Sequence, residues 1–509
     1  MPYIKLSQTT SGATAVQVAT KHYGKTVVLK HFGSAHTKQE LHELKALAQA
    51  WLRPVGQLDL FTSPIDHQRF HTIAHRPYCF EQLIRAYYNK LSFSDLGSQL
   101  LFELVMMRLY EPCSKLRSIR LLADRFGRRA YAEETAYRLV KKLGTESKDP
   151  HSLSPKTTLL TKLYTAHEQY FGGDLAVLLY DVTTLYFESA RDGDEYKIPG
   201  YSKDGKHKDP QILVGLLTNL QGFPLSYESF PGKTFEGHTL LTALNNWQQQ
   251  FKLTKLRVIA DAGMLSRLNC DNLVQAGYDF VVGARLHSLS DTLTNQLKAM
   301  VKRNGKIQEF SHGNWRLIVQ YQTKRAKKDV HTIDKAVAKA QAIVDGKQTL
   351  KRRSKFVAID EPTKTAKSLD ETAIAEAKAL VGLKGYITNL EPELAPAKEL
   401  IAQYHELWHV ERSFRMSKSD LRARPIFHRL EENIKGHLFI VVMALAVSKL
   451  LEKDSSVSIQ RVVDQLSNAL SYQQEDAVTN ETWWQHPELD KLTLPDILLD
   501  ILEPLMSGD

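Results

Sequence analysis

At 509 residues, 43% hydrophobic and 24% charged, the chain is a globular sequence of about three domains or of one large domain carrying an insertion, neither disordered nor fibrous. Three cysteines, Cys79, Cys113 and Cys270, exclude a disulfide framework or a cysteine zinc module and fit a reducing cytosol. Lys and Arg outnumber Asp and Glu by 67 to 57, and the net charge of +10 favours a polyanionic partner.

Residues 1–78 read as a small β-containing lead-in, in which short alternating runs such as TVVLKH (Thr26 to His31) give way to a helical pattern, QELHELKALAQAWL. No apolar run follows a basic start, so no secretory signal is expected. His67, His71, His75 and Cys79 would stack on one helix face and bind zinc, but Pro64 and Pro77 argue against such a helix.

Residues 79–169 are helical in pattern: EQLIRAYYNKL, SQLLFELVMMRLYEP, SKLRSIRLLADRF and AEETAYRLVKKLG, with a turn at Gly127 in the last pair. That pair carries Arg117, Arg120, Arg125, Arg128, Arg129, Arg138, Lys141 and Lys142. It reads either as a helix-turn-helix DNA reader or as a plain helical hairpin.

Over residues 170–285 the texture changes. DLAVLLYDVTTLYFES, QILVGLLTN and FPLSYESF read as three antiparallel strands, followed by the helix TLLTALNNWQQQF, the strand LRVIAD, the helix SRLNCDNLVQAG and the strand YDFVVGAR. This is the ribonuclease-H-like order, an α/β fold with a mixed sheet flanked by helices. Residues 286–383 read as a basic, irregular insertion domain. Within it, Val301 to Lys355 holds fifteen Lys and Arg against four acids, a surplus of eleven that accounts for the whole net charge. Such a local field suits phosphate-backbone contact, or is a solvated charged face.

Residues 384–453 return to the core through GYITNL and the long helix ELIAQYHELWHVERSFRMSK. The ten-residue run Leu438 to Val447 is too short for a bilayer, which takes about 20 residues, and reads as a buried helix. Residues 454–509 supply two amphipathic stretches, SVSIQRVVDQLSNAL and LPDILLDILEPLM, for packing on the parent subunit or for a contact between protomers.

Three acids stand out. Asp181 interrupts an almost wholly apolar strand, where a carboxylate loses its hydration unless a cation or donors replace it. Asp261 ends the strand LRVIAD and projects from the carboxyl end of the sheet, where α/β proteins place ligands. Glu411 falls on one stripe with Tyr404, Leu407, Trp408 and Phe414, so it is expected to face the core, with Trp408 as simple core. Three hard oxygen donors without His or Cys select Mg²⁺, with Mn²⁺ as substitute, and two such ions support in-line phosphoryl displacement. Glu188 lies on the opposite strand face from Asp181 and is a poor third ligand, and Glu228 reads as a structural ion pair. No P-loop, dinucleotide fingerprint or nucleophile elbow is present.

DVTTLYFES, GYSKDGKHKDPQILVGLLTNLQGFPLSYESFPGKTFEG, VIADAGMLS and YHELWHVERSFRMSKSDLRARPIFHRLEENIKGHLFI resemble the DDE transposases of bacterial insertion sequences, in the superfamily named for insertion sequence four and nearest its sixteen-thirty-four branch. The resemblance spans about residues 79–451. It implies an RNase H-like catalytic core with an insertion domain, preceded by a mainly helical DNA-binding region, and Asp181, Asp261 and Glu411 as catalytic metal ligands for Mg²⁺. In that group the third acid lies in Y-x2-R-x3-E-x6-K; Tyr404, Glu411 and Lys418 match, while Leu407 replaces the Arg, whose role passes to Arg412 or Arg415 or is absent.

The expected DNA contacts are Tyr404, Arg412, Arg415 and Lys418 beside the acids, Lys324, Arg325, Lys327, Lys328, Arg352 and Arg353 in the insertion, and Arg117 and Arg120 in the helical region. The expected partners are double-stranded DNA, as terminal inverted repeats and target, and a second copy in a homodimer on two DNA ends. No membrane is expected, and the place is the cytoplasm, at the nucleoid. An RNase H-like nuclease that does not join strands, or a silent transposase-derived DNA-binding protein, are the competing readings.

Overall fold

The computed structural model describes residues 2–9, 12–22, 25–52, 70–128, 130–147, 152–172, 175–187, 196–199, 209–234, 239–251, 256–264, 266–350, 354–360 and 365–506. Arg129, Glu188, His67, Arg352 and Arg353 lie outside them. The chain forms two compact units, Met1–Thr72 with Gln474–Thr482, and Ile73–Gln473 with Trp483–Asp509.

In the first unit β1 (Tyr3–Gln8), β2 (Thr14–His22) and β3 (Lys25–Ala35) form an antiparallel sheet in that order. Alternation along β2 buries Val16 and Val18 against Ala48 of α1 (Lys38–Leu52). β4 (Phe70–Arg76) holds His71 and His75, so these two stand on a strand and not on the helix that a zinc face would need.

The second unit opens with α2 (Tyr78–Lys90), α3 (Gln99–Tyr110), α4 (Lys115–Phe126), α5 (Glu133–Gly144) and α6 (Pro155–Tyr170). Ser98, Ser114 and Ser154 start α3, α4 and α6 by accepting a backbone N–H of the first turn, and Gly127 ends α4 at φ 60°. From Leu100 to Leu109 every residue of α3 is buried, so α3 is a core helix.

The main sheet is built from β5 (Val177–Tyr186), β6 (Ile198–Pro199), β7 (Pro210–Thr218), β8 (Pro224–Pro231), β9 (Arg257–Ala260) and β10 (Asp279–Ala284), with α7 (Thr239–Phe251) before β9 and α8 (Arg267–Gln275) after it. Its core order is β8-β7-β5-β9-β10. β5, β9 and β10 are parallel, and β7 is antiparallel to both β5 and β8. That is the expected ribonuclease-H-like order, in a mixed α/β fold.

Residues 286–383 prove regular rather than irregular. α9 (Asp291–Lys298) precedes a hairpin of β11 (Ile307–His312) and β12 (Trp315–Tyr321), then come α10 (Thr323–Val344), β13 (Val357–Asp360), β14 (Thr365–Leu369) and α11 (Glu371–Ala379). β15 (Leu383–Thr388) pairs antiparallel with both β12 and β10, so the hairpin extends the main sheet. β11 was hidden in sequence because none of its residues is fully buried, and β12 because its buried run is only Leu317 to Val319.

The chain closes with α12 (Ala397–His405), α13 (Trp408–Lys418), α14 (Glu431–Ser455), α15 (Ile459–Leu466), β16 (Ser471–Asp476), β17 (Thr482–Gln485) and α16 (Asp496–Met506). α14 is long and apolar enough to cross a membrane, yet 94% of its most apolar window is buried inside the fold, as a core helix requires. It crosses α5 at two glycines. A Cβ on Gly144 would lie 1.8 Å from the Glu432 carbonyl oxygen, and one on Gly436 would lie 1.9 Å from that of Val140.

Candidate active site

β5 and β9 bring two of the three acids together. They pair in parallel from Val177↔Arg257 to Tyr180↔Ala260, so Asp181 and Asp261 are the next residues on neighbouring strands, roughly one strand spacing of 4.8 Å apart. β9 stops at Ala260 while β5 runs on to Tyr186, and the crevice opens where the partner strand leaves. Asp181 is half-buried between the buried Tyr180 and Val182, whereas Asp261 is exposed.

Asp261 is held from two sides. Its Oδ1 accepts the backbone N–H of Ala262 at 2.7 Å and the hydroxyl of Tyr404 at 3.3 Å. Tyr404 reaches it over Gly283 of β10, where a Cβ would stand 2.6 Å from the hydroxyl oxygen; any side chain there would push the ring away. Burial, then the charges of Asp261 and Glu411 among other causes, push the Tyr404 hydroxyl far above its usual range, so it remains a proton donor. Glu411 is therefore close enough for its charge to act on that hydroxyl.

Two expectations about the third acid are corrected. The single long helix is two, α12 and α13, separated at Glu406 and Leu407. Of the predicted stripe Tyr404, Leu407 and Phe414 are buried, while Trp408 and Glu411 are not. The buried face of α13 is Val410, Ser413, Phe414, Met416 and Ser417, so Glu411 is exposed rather than core-facing. Trp408, read as core, is 47% exposed.

Lys384 of β15 was missed in sequence. Its ammonium lies 5.1 Å from the centre of the Tyr404 ring, and its pKa is lowered first by burial and then by Arg325, with Asp261 acting in the opposite direction. A lysine in GLKGYIT carries no pattern that ties it to an acid 123 positions earlier.

The other expected DNA contacts are spread out. Tyr404 is buried with its hydroxyl on Asp261, which makes it a positioning group. Arg412 pairs with Glu452 at 3.2 Å, while Arg415 is exposed with no acid partner among the described residues, and Lys418 ends α13. Lys324, Arg325, Lys327 and Lys328 are exposed in the first turns of α10, with Arg325 also donating to the Leu383 carbonyl. Arg117 pairs with Glu111 at 2.6 Å, and Arg120 lies 3.8 Å from Glu133. Glu228 accepts from Lys156 at 2.7 Å, the structural ion pair expected of it.

Among the described residues no three His, Cys, Asp or Glu side chains are drawn into one ready ligand set. Two adjacent carboxylates where β5 and β9 part, with an exposed glutamate in electrostatic reach, nevertheless fit a hard divalent cation, which takes carboxylate and water oxygens. They do not fit zinc, which selects nitrogen and sulfur. Tyr404→Phe is expected to cut strand cleavage roughly 10- to 100-fold, the usual effect of losing a group that orients a ligand. DNA affinity should not change; a variant that loses affinity and cleavage together would make Tyr404 a DNA contact instead.

A family model described as "Transposase DDE domain" matches residues 172–447. No curated protein matches the chain. Among solved structures, a piggyBac transposase synaptic complex with hairpin DNA is 11% identical, with 78% of this chain and 80% of that one covered at a TM-score of 0.35. A Mos1 transposase paired-end complex with its left transposon end is also 11% identical, covering 48% of this chain and 67% of that one at a TM-score of 0.16.

Proposed function

Because the chain belongs to the family of transposases with a DDE domain, we propose that it recognises the ends of an insertion sequence, cleaves them and transfers the freed strands to target DNA. The observation that carries this reading is the pair Asp181 and Asp261 at the point where β5 and β9 part, with Tyr404 fixing the second acid. Together with Glu411, whose side chain is exposed on α13, these acids would hold Mg²⁺, or Mn²⁺ in its place. When bound, the ions neutralise the charge that develops on a phosphate during in-line displacement.

The chain's own residues do the rest. The Ala262 N–H and the Tyr404 hydroxyl hold Oδ1 of Asp261 and so fix the orientation of its carboxylate. Arg415 and Lys418, one and two turns past Glu411, take the phosphates flanking the scissile bond, with Arg415 in the role of the Arg that Leu407 replaces. Lys324, Arg325, Lys327 and Lys328 on α10, with Arg352 and Arg353, hold the DNA backbone at a distance. The helices of residues 79–169, with Arg117 and Arg120, read the element ends. Two protomers act on two ends, since two ends must be cut and joined and closed two-fold assemblies are the commonest homo-oligomers. The protein works in the cytoplasm, at the nucleoid.

One experiment tests the reading as a whole: labelled duplexes carrying candidate element ends, a target plasmid and Mg²⁺, with products and complex mass measured together. The expected result is cut and joined strands from a complex of two protomers on two ends. Cutting without joining would make the protein a nuclease, and joining by one protomer on one end would sink the dimer.

A further inference from the structure

Beyond the carboxyl end of α13 lies a second cavity, of about 300 Å³, walled by the start of α4, by α5 and α14, and by residues 422–428. Neither Asp nor Glu lines it. Arg108 and Lys115 stand in its wall at 4% and 3% exposure, with Arg422 and Arg424 beside them. Arg108 donates Nη1 to the carbonyls of Leu421 and Arg422, at 3.5 Å each, while its Nε is buried without an acceptor. The Lys115 ammonium is likewise buried with no hydrogen-bond partner. Two histidines on the same wall add no charge: burial, then Lys115 and Arg108, holds His428 down at about 4 and His437 well below its usual range, and His437 meets the Ala423 carbonyl at 3.0 Å.

A buried ammonium beside a buried guanidinium, with no acid between them, is unfavourable twice over, since each has lost its water and each repels the other. Burial and Arg108 accordingly lower the Lys115 pKa well below its usual value. An anion would supply both the missing charge and the missing acceptors. The twelve-residue α4 begins at Ser114 and Lys115 on this wall and adds the partial positive charge of its first turn. Arg422 holds φ at 41°, a left-handed conformation that a residue with a side chain adopts at a cost and that recurs at ligand sites.

We propose that this cavity is a phosphate-binding site, and that in the working protein it holds a backbone phosphate of the bound DNA strand. The first clause stands on the cavity alone, while the second rests on the function proposed above. Arg108 offers a planar donor and Lys115 a point charge, the two modes in which proteins take phosphate. A cavity this size has room for the sugar attached to the phosphate, and Tyr137 and Phe427 supply apolar faces for it. Its place suits a strand that also passes the acids, because from Glu411 to Lys418 α13 rises only about 10 Å before the chain enters the cavity wall.

The test uses the full chain, with inorganic phosphate as probe in a chloride buffer, read by calorimetry and by thermal unfolding, and compares Lys115→Met. Phosphate should bind the native protein and raise its Tm, and Lys115→Met should lose at least tenfold in that affinity. Without phosphate the variant should melt no lower than the native protein, because an unpaired buried charge has gone; a merely structural lysine would melt lower. On a DNA duplex, Lys115→Met should lower the slope of log affinity against log salt by about one. Arg422→Gln, which alters an exposed side chain, should weaken phosphate binding in the same direction and decides the matter if Lys115→Met does not fold. No phosphate binding by the native protein, or binding that survives both substitutions, overturns the site. Loss of phosphate binding with an unchanged salt slope overturns the DNA clause and assigns the site to free phosphate. Strand cleavage is scored separately, so neither failure touches the transposase reading.

Discussion

Asp181→Ala, Asp261→Ala and Glu411→Gln are each expected to abolish strand cleavage while leaving DNA affinity within about threefold of the native value, since phosphate contacts are made elsewhere. Metal assistance of phosphoryl transfer is worth several kcal/mol; about 4 kcal/mol corresponds to a roughly thousandfold loss, the least expected for any of the three. A second readout separates ligand loss from misfolding. Without metal, each variant is compared with the native protein by circular dichroism, and the Mg²⁺ dependence of its Tm is measured. The stabilisation that Mg²⁺ confers on the native protein should then disappear. Cleavage within tenfold of native by any one variant removes that residue from the site, and a Mg²⁺-dependent Tm shift that persists in all three removes the metal.

The largest expected effect on stability comes from one methyl group. Gly436→Ala puts a Cβ 1.9 Å from the Val140 carbonyl oxygen, a backbone atom that no rotamer change moves aside. α5 and α14 must separate to admit it, and α14 is the helix around which the second unit packs, buried from Gly436 to Leu451. Overpacking of this kind costs about 3 kcal/mol or more, whereas helix propensity alone would make the change favourable by about 1 kcal/mol. The sign of the change is therefore diagnostic. Gly144→Ala, which meets the Glu432 carbonyl oxygen at 1.8 Å, should behave alike. Chemical denaturation followed by circular dichroism measures both, and a midpoint equal to the native one would mean that the helices cross less closely than this.

Much of the core was legible because its strands are apolar runs broken by single carboxylates. Asp181 stood out because an acid among Leu, Val and Tyr is costly to bury, and Asp261 because it ends an apolar strand. The order of strands and helices from Val177 to Ala284 follows from changes in hydrophobic period, and the sheet has the topology that this order implies. Glu411 was singled out for a place on a buried stripe that it does not occupy. Its helix breaks at Glu406 and Leu407, where no Gly or Pro marks a stop, and on the face predicted to be buried Tyr404, Leu407 and Phe414 are buried while Trp408 and Glu411 are exposed. The hairpin of β11 and β12 was read as irregular because the edge strand β11 buries no residue fully and the buried run of β12 is only Leu317 to Val319.

By itself, then, the sequence determined the elements from Val177 to Ala284 and the order of the sheet they build, and it singled out three acids as candidates, because period and the cost of burying charge are properties of a local stretch of chain. Tertiary structure alone decided what meets across long separations. It set the Tyr404 hydroxyl on Asp261 over Gly283, Lys384 against the Tyr404 ring, and Arg108 and Lys115 together under a loop that begins 300 residues later. No local pattern encodes these meetings. Each depends on which helix crosses which strand, and that follows from packing the whole core at once.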